Sequence, residues 1–227
     1  MNSIKHIFFD LDHTLWDFES NSDIAFKTIF KQYDLTVDTQ KFLNYYRSIN
    51  ERYWKLYREE KITKDRLRYG RLKDTFVKIK YAIKDELIDR LAIDYIEELP
   101  KNNELFEGTH EILEHLHPNY KLHIITNGFS EVQYKKIENS GLSAYFDAIV
   151  TSEDAGVKKP NPLIFKYALN RINASAKETI MIGDNWEADI MGAINNGIDA
   201  IFFNYHKKNV AENIKSVHHL LEIKQYL

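Results

Sequence analysis

At 227 residues, 44% of them hydrophobic, the chain can bury one sizeable core and still carry an accessory domain. Its formal net charge of −3 gives no support for general affinity to nucleic acid polymers or membrane surfaces, and the absence of cysteine excludes disulfides, thiolate zinc sites and a cysteine nucleophile. No charged leader with a long apolar stretch and no membrane-length run is visible, so a cytoplasmic protein is expected.

The first element is an apolar run of strand type beginning at His6, which ends abruptly in Asp10 and Asp12. Alternate side chains of a strand share a face, so both acids project together where a buried strand meets solvent. In open α/β sheets that carboxyl edge is where ligands bind. Two adjacent carboxylates repel unless a cation or shared proton intervenes, which suggests Mg²⁺ chemistry with one acid attacking and the other moving a proton. The plainer reading is a strand followed by a polar turn.

Strand-like runs then stop for roughly a hundred residues and helical periodicity takes over. Four helices are predicted: about Ser22 to Tyr33, capped by Ser20 or Ser22; one after Asp38; one that follows Thr63 as its N-cap through about Ile79; and one from about Lys84 to Leu99, stopped by Pro100. Phe42, Tyr45, Tyr46, Ile49, Tyr53 and Leu56 make an apolar stripe that reads as the insert's own core. Residues 61–80 hold eight Lys or Arg against Asp65 and Asp74, a band that could draw anions or simply be a solvated helix face.

Helix and strand alternate in the remainder. A helix after Gly108, a strand at 120–126 and a helix closing at Gly141 come first. A strand near 147–150, a helix near 162–172 and a strand at 178–183 follow. A helix closing at Gly197, a strand near 199–204 and a final helix after about Glu212 complete the pattern. Such alternation implies a parallel sheet covered by helices. Three boundaries carry chemistry. The strand at 120–126 ends in Thr126-Asn127-Gly128, a hydroxyl donor beside a turn whose N–H groups can face an anion. Gly156, Pro160 and Pro162 fix a loop that holds Lys159 where it could neutralise a phosphate or carboxylate. The strand at 178–183 ends at Asp184, with Asp189 about one helical turn beyond; Mg²⁺ needs only one or two such carboxylates plus a carbonyl.

Asp10-Leu-Asp-His-Thr14, Thr126, Lys159-Pro160 and Gly183-Asp184 with Asp189, in this order, resemble the haloacid dehalogenase superfamily, which is mostly made of phosphatases. The resemblance covers nearly the whole chain. It implies a Rossmann-like α/β core at 1–16 and 103–227, and an inserted all-helical, four-helix type 1 cap at 17–102. It implies Asp10 as nucleophile forming an aspartyl phosphate, and Asp12 as general acid and then base. Mg²⁺ would be held by Asp10, the backbone carbonyl of Asp12 and Asp184. Thr126 and the amide of Asn127 would bind phosphoryl oxygens, Lys159 would offset their charge, and Asp189 would orient Lys159 or a metal-bound water. Lys158 is assigned to the surface. Asp12 favours phosphoryl transfer over dehalogenation, because an alkoxide leaving phosphorus needs a proton and a halide does not.

Within the superfamily, Asp10 through Phe18, the helical insert and Gly141-Leu-Ser-Ala-Tyr-Phe-Asp147 look most like the YjjG-type pyrimidine 5′-nucleotidases. The implied substrate is a nucleoside monophosphate, including non-canonical pyrimidine ones. Trp16 and Phe18, directly after the catalytic loop, could stack on a base or sugar, or support the hinge into the insert. A phosphatase for small phosphosugars or phosphoglycolate stays open, whereas a phosphomutase lacks an identifiable second phosphate pocket. A receiver-type signalling module also combines paired acids, Thr and Lys on such a sheet, but is too compact for the insert; intact acids at 10, 12 and 184 argue against a silent scaffold.

Overall fold

Ile7, Phe8 and Phe9 are apolar on both faces and fully buried, which suits a central strand of a parallel sheet rather than a half-exposed one. The computed structural model describes residues 4–211 and 213–227. In it β1 (His6–Phe9), β2 (Lys121–Thr126), β3 (Phe146–Thr151), β4 (Thr179–Gly183), β5 (Asp199–Phe203) and β6 (Lys215–Val217) form one sheet in the order β3-β2-β1-β4-β5-β6, every pair parallel. The chain builds outward from β1 to β3 and then returns to the other side of β1 with β4, so the order reverses between β1 and β4. That reversal opens a crevice at the carboxyl ends of both strands. Phe9 lies opposite Ile124 of β2 and Ile182 of β4, so the residues that follow these three positions leave the sheet at one edge.

The chain divides into two compact units, Met1–Phe18 with Asn103–Leu227, and Glu19–Asn102. The second is helical: α1 (Phe18–Gln32) enters it, followed by α2 (Thr39–Arg58), α3 (Lys64–Lys78) and α4 (Asp85–Glu98). Asp38 caps α2 by accepting from Lys41 N, and Thr63 caps α3 by accepting from Arg66 N. α1 starts earlier than its sequence signals suggest, so Ser20 and Ser22 lie inside it; Ser22 Oγ instead hydrogen-bonds Tyr95 Oη at 2.9 Å. The core is aromatic, with Phe26 stacked on Tyr95 at 4.4 Å and edge-on to Tyr46 at 4.6 Å. The buried face of α2 is rotated from the expected stripe: Phe42, Leu43, Tyr46, Asn50, Tyr53 and Tyr57 point inward, whereas Tyr45 is exposed beneath Lys78. The basic band is not a uniform field either. Arg71 is buried on Asn50, Lys73 pairs with Asp85, and Asp74 is held by Arg52 and Tyr53.

The α/β unit adds α5 (Thr109–Leu116), α6 (Ser130–Asn139), α7 (Ser152–Ala155), α8 (Pro162–Arg171) and, after a π-helical turn at Trp186–Met191, α9 (Gly192–Ile194). Phe8, Ile125, Val150, Met181 and Phe202 of the sheet pack with Ile164, Phe165 and Ala168 of α8 and with Ile190 and Ala193. Each fully buried side chain of this size stabilises by roughly 1.5–3 kcal/mol, enough in sum to carry a strained, charged edge. The expected final helix is replaced by β6 and a 3₁₀ segment at Leu220–Gln225, and its Glu212 onset lies outside the described residues. The segment is recruited by the open edge of β5, and Asn204 N donates to Val217 O at 2.7 Å to close the pairing. Among the described residues no helix is long and apolar enough to cross a membrane.

Candidate active site

Asp10 follows the last residue of β1, and its own N–H donates to Ile182 O at 2.9 Å, which ties it to β4. The loop after it is compact: the N–H groups of Thr14, Leu15 and Trp16 all turn back to Leu11 O. His13 takes the left-handed conformation at φ 63°, and its Nδ1 lies 3.1 Å from Tyr205 Oη. Burial pushes the His13 imidazole down to about 4, so it is neutral at ordinary pH.

Lys159 reaches this edge from the loop between α7 and α8. Its Nζ lies 2.7 Å from Asp10 Oδ1, 2.7 Å from Asp189 Oδ1 and 2.6 Å from Ile125 O. Asn127 sets the lysine backbone: Nδ2 donates to Lys159 O at 2.9 Å and Oδ1 accepts from Lys159 N at 2.7 Å. The side chain of Asn127 is therefore committed to the lysine loop, and only its main-chain N–H remains suited to an anion. The Lys159–Pro160 bond is cis. Lys158, expected at the surface, is half-buried.

Asp184 follows β4 and accepts from Thr14 Oγ1 at 3.3 Å. Asp189 comes back over the strand end through the π-helical turn, where its Oδ2 accepts from Asn185 N at 2.9 Å. A Cβ at Gly183 would lie 2.4 Å from that same oxygen, so only glycine leaves room for the carboxylate.

Carboxylate oxygens of Asp10, Asp184 and Asp189 all lie within 4.8 Å of one another. One ammonium thus faces three acids. Burial pushes Asp10 up to about 7; Lys159 opposes this, while Asp189 and Asp12 add to it. Asp184 is raised well above the usual carboxylate range by burial first, then by Asp189 and Asp10. Lys159 is held above its ordinary value because Asp10 and Asp189 outweigh the burial that would lower it. A donor set of oxygens alone, carrying uncompensated negative charge, fits a hard divalent cation such as Mg²⁺ and not a thiophilic one. Asp189, expected to orient Lys159 or a metal-bound water, pairs with Lys159 and also has its carboxylate inside this cluster.

Asp12 does not join the cluster with its side chain. Its carboxylate turns to α6, where Lys136 Nζ approaches Oδ1 at 2.5 Å and Gln133 Nε2 donates to Oδ2 at 3.0 Å. Gln133 Nε2 also donates to Thr126 Oγ1 at 2.7 Å, and that oxygen accepts a second bond from Gly128 N at 3.1 Å. With two bonds accepted, the Thr126 hydroxyl has its proton left to give to a ligand. The polar pair on α6 was missed in the sequence, although Gln and Lys three residues apart on the face shared with Val132 and Ile137 were a visible signal.

Trp16 is fully buried and Phe18 nearly so, with Lys136 Nζ 4.0 Å from the Trp16 ring centre and 5.3 Å from that of Phe18. Of the two roles these rings offered, stacking on a ligand or support of the hinge, their burial fits the second. One face of Trp16 carries the Lys136 ammonium, and Trp16 packs edge-on to Phe18.

A family model described as haloacid dehalogenase-like hydrolase matches residues 7–203. The chain is 34% identical to the pyrimidine 5′-nucleotidase YjjG of Escherichia coli over 97% of its own length and 96% of that protein's. It is 35% identical to the pyrimidine 5′-nucleotidase PynA of Streptococcus pneumoniae over 89% of its own length and 84% of that protein's. The crystal structure of the HAD-hydrolase YfnB from Bacillus subtilis bound to magnesium superimposes with a TM-score of 0.89 at 29% identity, covering 99% of both chains.

Proposed function

The chain belongs to the haloacid dehalogenase-like hydrolases, and from that premise we propose that it is a Mg²⁺-dependent phosphomonoesterase working through an aspartyl phosphate. The substrate class we propose is the pyrimidine nucleoside 5′-monophosphate, on the likeness to two proteins named for that activity. The observation that carries the chemistry is the single ammonium of Lys159 set against Asp10, Asp184 and Asp189 at the sheet edge, with Asp12 held beside them on separate partners. The helical unit is proposed as the cap domain, and a cytoplasmic location belongs to the same reading.

Lys159 engages Asp10 Oδ1, which leaves Oδ2 to attack phosphorus. As the ester bond breaks, Asp12 gives its proton to the departing alkoxide. It then takes a proton from water, which attacks the acyl phosphate, releases inorganic phosphate and restores Asp10. Thr126 Oγ1–H and the Asn127 N–H bind phosphoryl oxygens, and Lys159 offsets their charge. Asp10, the carbonyl of Asp12 and Asp184 would hold Mg²⁺, with Asp189 supporting Lys159; when bound, the ion supplies neutralising charge for the transferring group.

The test is multiple-turnover phosphate release with Mg²⁺ across nucleoside monophosphates, sugar phosphates, phosphoglycolate and p-nitrophenyl phosphate. Preference for pyrimidine nucleotides supports the substrate class. A sugar-selective profile would replace it while keeping the chemistry, and release of at most one phosphate per protein would point to a receiver-type module.

A further inference from the structure

Lys136 and Gln133 are both about 1% exposed, an unusual place for a lysine, and both aim at one carboxylate. The ammonium meets Asp12 Oδ1 while lying on the face of Trp16, and the amide meets Oδ2. Burying a lysine is costly unless it is paired and held, so this arrangement fixes where Asp12 points. Gln133 extends the constraint to Thr126, because the two hydrogens of one Nε2 serve both residues. Gly128 is part of the same device: a Cβ there would lie 2.4 Å from Gln133 Cδ, so the amide can cross the strand end only over glycine.

Resting on the phosphatase reading above, we propose that Lys136 and Gln133 are positioning residues that hold the Asp12 carboxylate at the leaving-group oxygen, with Trp16 as the platform for Lys136. Their effect is exerted through Asp12, so it scales with how much the leaving oxygen needs a proton. Phenyl phosphate and p-nitrophenyl phosphate have closely similar shapes, but phenoxide is the far poorer leaving group. kcat/KM reports steps up to the first irreversible one, which here is transfer to Asp10 with loss of the phenol.

The experiment measures kcat/KM for both esters with Mg²⁺ in the wild type, Lys136→Met and Lys136→Gln, with thermal unfolding to verify the fold. Lys136→Met is expected to lose at least about tenfold more on phenyl phosphate than on p-nitrophenyl phosphate, the scale of general acid catalysis being about 10²–10⁴. Lys136→Gln keeps an N–H donor and is expected to show a smaller bias in the same direction, which preserves the test if the methionine variant does not fold. Equal losses on the two esters, or no loss, in folded variants would overturn the positioning role and leave the phosphatase intact. A wild type that hydrolyses neither ester would overturn the phosphatase reading and this inference together.

Discussion

Both units bury cations, and Arg71 and Lys159 are treated differently. In the helical unit Arg71, 2% exposed, meets an amide oxygen of Asn50 at 2.9 Å and the ring of Tyr95 at 4.9 Å. These partners are neutral, and its Nε–H is buried without a hydrogen-bond acceptor, so they solvate the guanidinium only in part. In the α/β unit Lys159 meets Asp10 and Asp189, with Asp184 close by, and the local charge does not balance. Arg71 is a buried cation whose Nε finds no hydrogen-bond partner among the described residues, whereas the Lys159 cluster holds more acids than cations. Lys136 lies between these cases, with a carboxylate on one side and Trp16 on the other.

The sharpest break in that comparison comes from Asp10→Asn. Turnover is expected to fall below about 10⁻³ of wild type in a phosphate-release assay, since the asparagine amide cannot form the acyl phosphate. The variant should fold normally, because it removes one of three crowded acids. Substantial residual turnover would take the nucleophile role away from Asp10.

Lys159→Met removes the lone cation from the acids, and denaturant unfolding without metal should register a loss of about 3–5 kcal/mol. Arg71→Met, by contrast, leaves only neutral partners and should cost about 1–2 kcal/mol. Equal costs would erase the distinction between the two cations.

Metal and pH sharpen the comparison further. Without metal, Asp10 is raised from 3.8 to about 7, so the folded state binds more protons than the unfolded one in that window. The stability this contributes is fully present below pH 3.8 and is lost as pH rises through about 7; Asp184 adds in the same direction. Mg²⁺ at a hundred times its dissociation constant should restore about 2.7 kcal/mol, read as a rise of several degrees in Tm near pH 7.5. A chelator should abolish turnover and that rise together.

An effect on stability with none on turnover belongs to His123, which burial pushes down to about 4, with His6 beside it adding to the shift. Its folded pKa lies below the unfolded 6.5, so the stability it contributes is present above pH 6.5 and fades as pH falls toward 4. His123→Phe should flatten that acid limb in urea titrations and leave turnover untouched.

The parts of the site that were legible in the sequence sit at strand ends. A buried parallel strand reads as an apolar run, and the first polar residue after it must emerge at the edge; Asp10, Thr126 and Asp184 follow this rule. The cap at Thr63 was legible because its side chain bonds a nearby N–H, whereas Ser20 and Ser22 lie inside α1. What escaped depends on contacts distant in sequence. Gln133 and Lys136 share a face of α6 with Val132 and Ile137, but only Asp12, more than a hundred positions earlier, gives them a target. Trp16 looks available for a ligand until Lys136 covers it, and β6 exists only because β5 has an open edge.

The most direct test of the central claim uses Asp12→Asn with Mg²⁺ and p-nitrophenyl phosphate, whose leaving group needs little help while the second step loses its base. The expected result is a burst of about one p-nitrophenolate per protein followed by slow release, with a phosphoryl adduct on the peptide carrying Asp10 after acid quench and mass spectrometry. Steady turnover without a burst, or an adduct on any other residue, would contradict it.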